Sequence, residues 1–256
     1  MKLVHPLPPN EVHLWYVDYQ DVAADDVAQR YAPLLDADET TRLNRFLFER
    51  DRRAYAVSHA LLRTTLAHYG GGDPRDLMFV ANNYGRPEID APAELRGLRF
   101  NLSHTRGAAI VGVVRNLDLG VDIETVARET SCVELAERYF SPREVADLHR
   151  RPPELQRDAF FDYWTLKEAY IKARGMGLAI ALDRFSYLLA EGRPIGSEFA
   201  AEWRDEPAVW QFAKFRPDER YQAAVAVRRG ATSPLRFIFR RVVPLGLVGS
   251  PVELQA

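Results

Sequence analysis

The spacing of apolar positions along this chain changes period several times, and each change marks an element. Alternation over Glu11–Asp18 (EVHLWYVD) predicts a strand. Between Asp38 and Tyr69 the residues Leu43, Phe46 and Leu47, then Tyr55, Leu61, Leu62 and Leu66, recur at helical spacing and predict one or two helices. Gly70-Gly71-Gly72 closes that stretch, because glycine accepts the left-handed backbone just past a helix C-terminus. No helix begins after the triplet, so capping is preferred to a phosphate loop. Leu77–Ala81 reads as a short strand leading into the turn Asn82-Asn83-Tyr84-Gly85-Arg86-Pro87, and Leu98–Ser103, Ala108–Arg115 and Leu119–Glu124 as further strands. Val133–Phe140 and Pro142–Arg150 read as helices, the second with Ser141 as N-cap and Pro142 at the first helical position. Asp158–Arg174 is a clear helix closed by Gly175, followed by strands at Phe185–Leu189, Ala208–Phe215 and Tyr221–Val227. Residues 231–256, rich in Pro, Gly and Arg, read as a late strand plus a loose tail.

Each half carries helices followed by short strands, with no regular β-α-β alternation, no repeat of fixed period and no long linker. That order argues for an α+β fold rather than a parallel sheet. With 256 residues the chain makes one large domain or two small ones. At 47% hydrophobic and 27% charged it is an ordinary globular composition, and a net charge of -2 gives no signal for nucleic acid or membrane. The single cysteine, Cys132, excludes an intrachain disulfide and a cysteine-based zinc site and fits a reducing compartment. The N-terminus MKLVHPLPPN lacks the apolar core of a signal peptide, and the most apolar run, Ala108–Val114, falls far short of the ~20 residues that span a bilayer. A cytoplasmic protein is expected.

Two segments carry candidate chemistry. In Gly120-Val121-Asp122-Ile123-Glu124, strand periodicity turns Val121 and Ile123 to the core and Asp122 and Glu124 together to the other face. Paired carboxylates repel unless a cation lies between them, and hard oxygen donors suit Mg²⁺ or Ca²⁺ better than zinc. The plain alternative is a strand ending at a solvated face, and the pentapeptide alone leans that way. The second segment is Trp164-Thr165-Leu166-Lys167-Glu168-Ala169-Tyr170-Ile171-Lys172. On a helix Trp164, Glu168 and Lys172 share one side. Glu168 and Lys172 at that spacing are commonly a surface ion pair worth ~0.3–0.5 kcal/mol. Against this, only four of 34 basic residues are lysine, and two of the four fall here. Lysine is a compact charge able to give up a proton, as arginine is not. Lys167, one position from Glu168, points elsewhere on the helix and reads as structural, and Trp164 as core packing.

Together these segments resemble the signature pair of the Sfp-type phosphopantetheinyl transferases, a G-[IV]-D-[IL]-E strand followed about forty residues later by W-[ST]-x-K-E-[AS]-x-x-K. The resemblance extends to Tyr84-Gly85-Arg86-Pro87, with arginine where the family's G-K-P turn has lysine, to Asn101-Leu102-Ser103-His104, and to the arginine-rich stretch Phe46–Asp51 through Leu61–Arg63. It spans residues 38–190 and fades towards the C-terminus.

The resemblance implies two similar α+β halves related by a pseudo-twofold, 1–116 and 117–230, with 231–256 as a C-terminal strand and tail, and coenzyme A between the halves. It implies Asp122, Glu124 and Glu168 as magnesium ligands and Lys172 on the phosphates. Glu168 would be the base for the carrier serine. Arg42 would bind the 3′-phosphate, Gly85, Arg86 and Pro87 the adenylate, and Ser103 and His104 the phosphates. Arg45, Arg50, Arg52 and Arg53 are expected on a solvated helix face. The implied activity moves phosphopantetheine from coenzyme A to a serine of an apo carrier protein of a fatty-acid, polyketide or nonribosomal peptide synthase. Residues Val133–Arg150 would touch the carrier, and the protein would be a monomer. Asp122 and Glu168 are expected at a solvent-facing cleft. Two other functions stay open: a different Mg²⁺-dependent phosphoryl or nucleotidyl transferase, although no P-loop or kinase signature is present, and a non-catalytic module that holds coenzyme A or a carrier.

Overall fold

The computed structural model describes every residue except 1–4, 83, 128–129, 176–179, 204, 231–232, 248 and 255–256. β1 (Glu11–Asp18) opens the fold, and the chain then winds through short helical turns, including α1 (Ala24–Asp26), to Leu34. α2 (Ala37–Arg45) starts at a capping box, with the Asp36 carboxylate accepting from Glu39 N and the Glu39 carboxylate from Asp36 N. α3 (Glu49–Gly70) runs 22 residues and stops where Gly71 turns left-handed at φ 67°, so the glycine triplet is a cap as expected. β2 (Met78–Ala81) and β3 (Pro87–Ala91) make a small hairpin, followed by β4 (Leu98–Thr105) and β5 (Ala108–Arg115). β3 starts at the last residue of the predicted turn, where too little periodicity is left to betray a strand.

β6 (Asp118–Thr125) opens a second unit: α4 (Cys132–Tyr139), α5 (Pro142–Arg150), α6 (Pro153–Arg174), the hairpin β7 (Phe185–Leu188) and β8 (Gly196–Phe199), then β9 (Trp210–Phe215) and β10 (Tyr221–Arg228). α6 begins five residues earlier than its periodicity suggested, because Pro153 is tolerated in the first turn. α6 also runs 22 residues and ends on a left-handed glycine, Gly175, at φ 62°. The residues expected as a late strand and a loose tail form two strands, β11 (Arg236–Arg241) and β12 (Val252–Leu254), and β11 pairs parallel to β1.

The two units repeat one topology. The first sheet contains the run β1-β5-β4, the second is β6-β10-β9, so in each the first strand pairs with the last and the last with the one before it. All four of these pairings are antiparallel. Three cores separate four layers. α3 packs on one face of the first sheet through Leu61, Leu66, Trp15 and Val111. The sheets face each other through Val12, Leu14, Val121, Ile123 and Val225. α6 covers the far face of the second sheet through Leu166, Ala169, Ala173, Ala224 and Ala226. Central strands are therefore covered on both sides. This buries the polar members of β1, which alternation alone would expose: His13 is held by the Tyr69 hydroxyl and the Glu11 carboxylate, and Asp18 pairs with Arg220 and Arg241. Among the described residues no helix is long and apolar enough to cross a membrane.

Candidate functional site

The site is assembled where the edge of the first sheet meets the edge of the second. Val121 and Ile123 enter the core between the sheets, so Gly120, Asp122 and Glu124 face α6, as period two requires. Gly120 allows the approach: a Cβ there would lie 2.0 Å from Ala169 O and 2.4 Å from Ala173 N. α6 thus lies against β6 at backbone distance, which brings Lys172 to Asp122. Lys172 Nζ donates to Asp122 Oδ1 at 2.6 Å and to Ser103 Oγ at 2.9 Å, and Ser103 Oγ donates to Asp122 Oδ1 at 3.0 Å.

The carboxylates differ in setting. Asp122 is buried, at 4% exposure, rather than at the solvent-facing cleft expected of it. The cover comes from α6 and from β4, neither of which is visible in a pentapeptide. Its second oxygen, Oδ2, is buried without a hydrogen-bond partner, a costly position for a charged atom unless something else satisfies it. Glu124 is half-buried and accepts from the Thr105 hydroxyl at 3.2 Å. Glu168 is half-buried, and burial first, then the charge of Asp122, raises its carboxyl above the usual range, with Lys172 opposing. Among the described residues no three His, Cys, Asp or Glu side chains are gathered closely enough to form a ready metal cage. Three carboxylates and one lysine nonetheless leave an excess of negative charge and hard oxygen donors, the chemistry a magnesium ion takes up.

The remaining expected residues are placed as follows. Ser103 is buried, and its hydroxyl is wholly occupied by Asp122, Lys172 and the amide of Ile123. His104 is exposed at one edge; the protein crowding its other side holds the imidazole below its ordinary pKa, and the charges of Lys172 and His59 push the same way. Arg42 is exposed on the last turn of α2, where its charge acts on the Tyr55 phenol. In the turn, Asn82 Oδ1 accepts from Tyr84 N and Arg86 N, and Gly85 takes φ 83°; Asn83 lies outside the described residues. The Arg86 guanidinium leaves that turn to donate to Ala173 O at 3.1 Å, one residue from Lys172, and lies 3.7 Å from Asp118. It therefore ties the first unit to the end of α6.

Lys167 is structural: fully buried, it pairs with Glu144 at 2.8 Å and donates to Leu182 O and Phe185 O at 2.7 Å each. Trp164 is half-buried against Phe160 and Phe140. Asn101 was singled out from the sequence only within the Asn101–His104 segment, and Thr105 not at all. Their signal was period two: Asn101, Ser103 and Thr105 share one face of β4.

The chain resembles known proteins along most of its length. Residues 118–226 match the family profile described as 4'-phosphopantetheinyl transferase superfamily, and residues 24–114 that of the N-terminal part of 4'-phosphopantetheinyl transferase. A Nostoc sp. protein, 4'-phosphopantetheinyl transferase HetI, is 35% identical over 228 residues, covering 87% of this chain and 92% of the relative. A Bacillus subtilis 4'-phosphopantetheinyl transferase is 33% identical over 196 residues, 77% of this chain and 83% of its own. The Bacillus subtilis 4'-phosphopantetheinyl transferase Sfp is 27% identical over 197 residues, 77% and 84% respectively.

Proposed function

This chain belongs to the 4'-phosphopantetheinyl transferase superfamily, and from that membership we propose that it transfers the 4′-phosphopantetheine arm of coenzyme A to a serine of an apo carrier protein, releasing 3′,5′-ADP. The observation that carries the reading is the junction of β4, β6 and α6. There Lys172, Ser103 and Asp122 are bonded together, and Glu168 is close enough to feel the charge of Asp122.

The carrier hydroxyl attacks the phosphorus that bears pantetheine. A serine O–P bond forms, the bridging P–O bond to the adenylate breaks, and its electron pair leaves on 3′,5′-ADP. Glu168 takes the serine proton, directly or through a water. With no cation bound, burial and the charge of Asp122 hold this carboxyl above the usual range, while Lys172 opposes them. Lys172 neutralises the departing phosphate; its side chain is 28% exposed, so the ammonium can turn from Asp122 towards a ligand. Asp122, Glu124 and Glu168 would hold a magnesium ion, and the partnerless Asp122 Oδ2 supports that role. When bound, the ion supplies positive charge that orients the pyrophosphate and polarises the attacked phosphorus. Arg42, the Gly85-Arg86-Pro87 backbone and His104 are assigned to the nucleotide and phosphates. Ser103 joins them through Lys172, since its own hydroxyl is already engaged.

We place the carrier on α4 and α5, within Val133–Arg150, and the enzyme in the cytoplasm as a monomer serving fatty-acid, polyketide or nonribosomal peptide carriers. Mass spectrometry of apo carriers from the three classes, incubated with enzyme, coenzyme A and Mg²⁺, tests the activity. At least one carrier should gain the mass of a single phosphopantetheine. Coenzyme A binding with no mass gain on any carrier would mark a binding module instead.

A further inference from the structure

Resting on the metal reading above, we propose that Thr105 is a positioning residue that aims Glu124 across the junction of the two halves. β4 is the edge of the first sheet and β6 the edge of the second, and they are not hydrogen-bonded neighbours in either sheet. The amides on the outer side of β6 still need acceptors, and side chains of β4 supply them. Asn101 Oδ1 accepts from Val121 N at 2.9 Å, Ser103 Oγ from Ile123 N at 3.3 Å and Thr105 Oγ1 from Thr125 N at 3.3 Å. Both strands advance by two residues per rung, so three side chains do what a backbone ladder does elsewhere.

The rungs differ in one respect that matches the residues of β6 beside them. A hydroxyl has one proton to give as well as lone pairs to accept with. Ser103 gives its proton to Asp122 and Thr105 gives its proton to Glu124. At the first rung the adjacent residue is Gly120, with no carboxylate to hold, and the side chain is an asparagine that only needs to accept. Hydroxyls therefore stand where a candidate ligand stands. A carboxylate pinned in this way is held in a fixed direction, which is how outer partners strengthen metal sites. The first half, through β4, thus sets the aim of ligands that belong to the second.

The test is Mn²⁺ binding, followed by electron paramagnetic resonance on the coenzyme A-saturated protein, with thermal melting in parallel. Thr105→Val keeps the shape and removes the hydroxyl; it should weaken Mn²⁺ binding about tenfold. Thr105→Ser should restore it to near wild type. Asn101→Leu breaks a rung that holds no carboxylate, so it should lower the melting temperature and leave Mn²⁺ affinity alone. If Thr105→Val melts lower but binds Mn²⁺ like wild type while Glu124→Gln binds it poorly, the positioning role is wrong and the rung only joins strands. If Glu124→Gln also binds like wild type, the metal reading falls, and the role of Thr105 with it. Equal loss of affinity in Asn101→Leu and Thr105→Val would overturn the specific aim of Glu124.

Discussion

The Lys172–Asp122 ion pair joins a partly exposed ammonium to a buried carboxylate, and that asymmetry separates binding from catalysis. If Lys172 acts on the leaving group, Lys172→Ala should lower kcat more than it raises KM for coenzyme A; steady-state kinetics with a carrier protein read the split, and a change in KM alone would make it a binding residue. Glu168→Ala should lower kcat by roughly 10²–10⁴ at saturating Mg²⁺, the usual contribution of a positioned base, with far-UV circular dichroism unchanged. Near-normal turnover would remove Glu168 from both of its assigned roles. Away from the Lys172–Asp122 pair, His13 and His68 carry a pH dependence of stability. Burial lowers both below the ordinary value of 6.5, opposed at His13 by the Glu11 carboxylate; Arg240 adds repulsion at both and His5 at His68. A histidine lowered in the fold takes its proton more readily when unfolded, so the stability it contributes is full above pH 6.5 and is lost as pH falls below it. The melting temperature should therefore decline on acidifying from pH 7 to pH 5, and less steeply in His68→Asn. An equal slope in the variant would place the titration elsewhere.

α6 is held at two points along its length. Near its middle, Lys167 and Glu144 form a buried pair that also fixes the start of α5, since Glu144 accepts from Ser141 N and Ser141 Oγ and from Tyr187 N. Removing one partner of such a pair leaves an uncompensated charge and costs about 3–5 kcal/mol. Lys167→Met should lower the melting temperature by roughly 6–20 °C, and the double variant with Glu144→Leu should regain part of it; a neutral single variant would show that Glu144 is satisfied without the lysine. Further along, Gly120 admits the helix backbone to within contact of β6. Gly120→Ala should push α6 outward, lowering transfer and stability together, with Lys172 drawn away from Asp122. Normal activity in that variant would mean that the close approach is not what builds the site.

Across the whole molecule, the last strands close the fold back on its beginning. β11 lies parallel to β1, and Leu235, Phe237 and Ile238 are buried there. A variant ending at residue 230 should lose cooperative unfolding, as followed by calorimetry; a sharp wild-type-like transition would show that the first sheet stands without β11. The C-terminal strands were the least legible part of the sequence. Their Pro, Gly and Arg content reads as a strand followed by a loose tail, and pairing with a strand more than two hundred residues away leaves no local pattern. The local elements were legible, because period, caps and glycine stops act within a few residues. The helix–glycine ends at Gly71 and Gly175, the Ser141 cap and the shared face of Asp122 and Glu124 all follow from spacing alone. The sequence also determined which side chains could form an acidic and basic site, because residue type and order are covalent facts. Whether Asp122 would be open or buried, that Ser103 would turn to Asp122 and Lys172, that Arg86 would reach the end of α6, and that β4 would meet β6 through side chains were decided only by the packing of two sheet edges and a helix. Those relations depend on distances between segments far apart in the chain, and no local rule of hydrophobic spacing contains them.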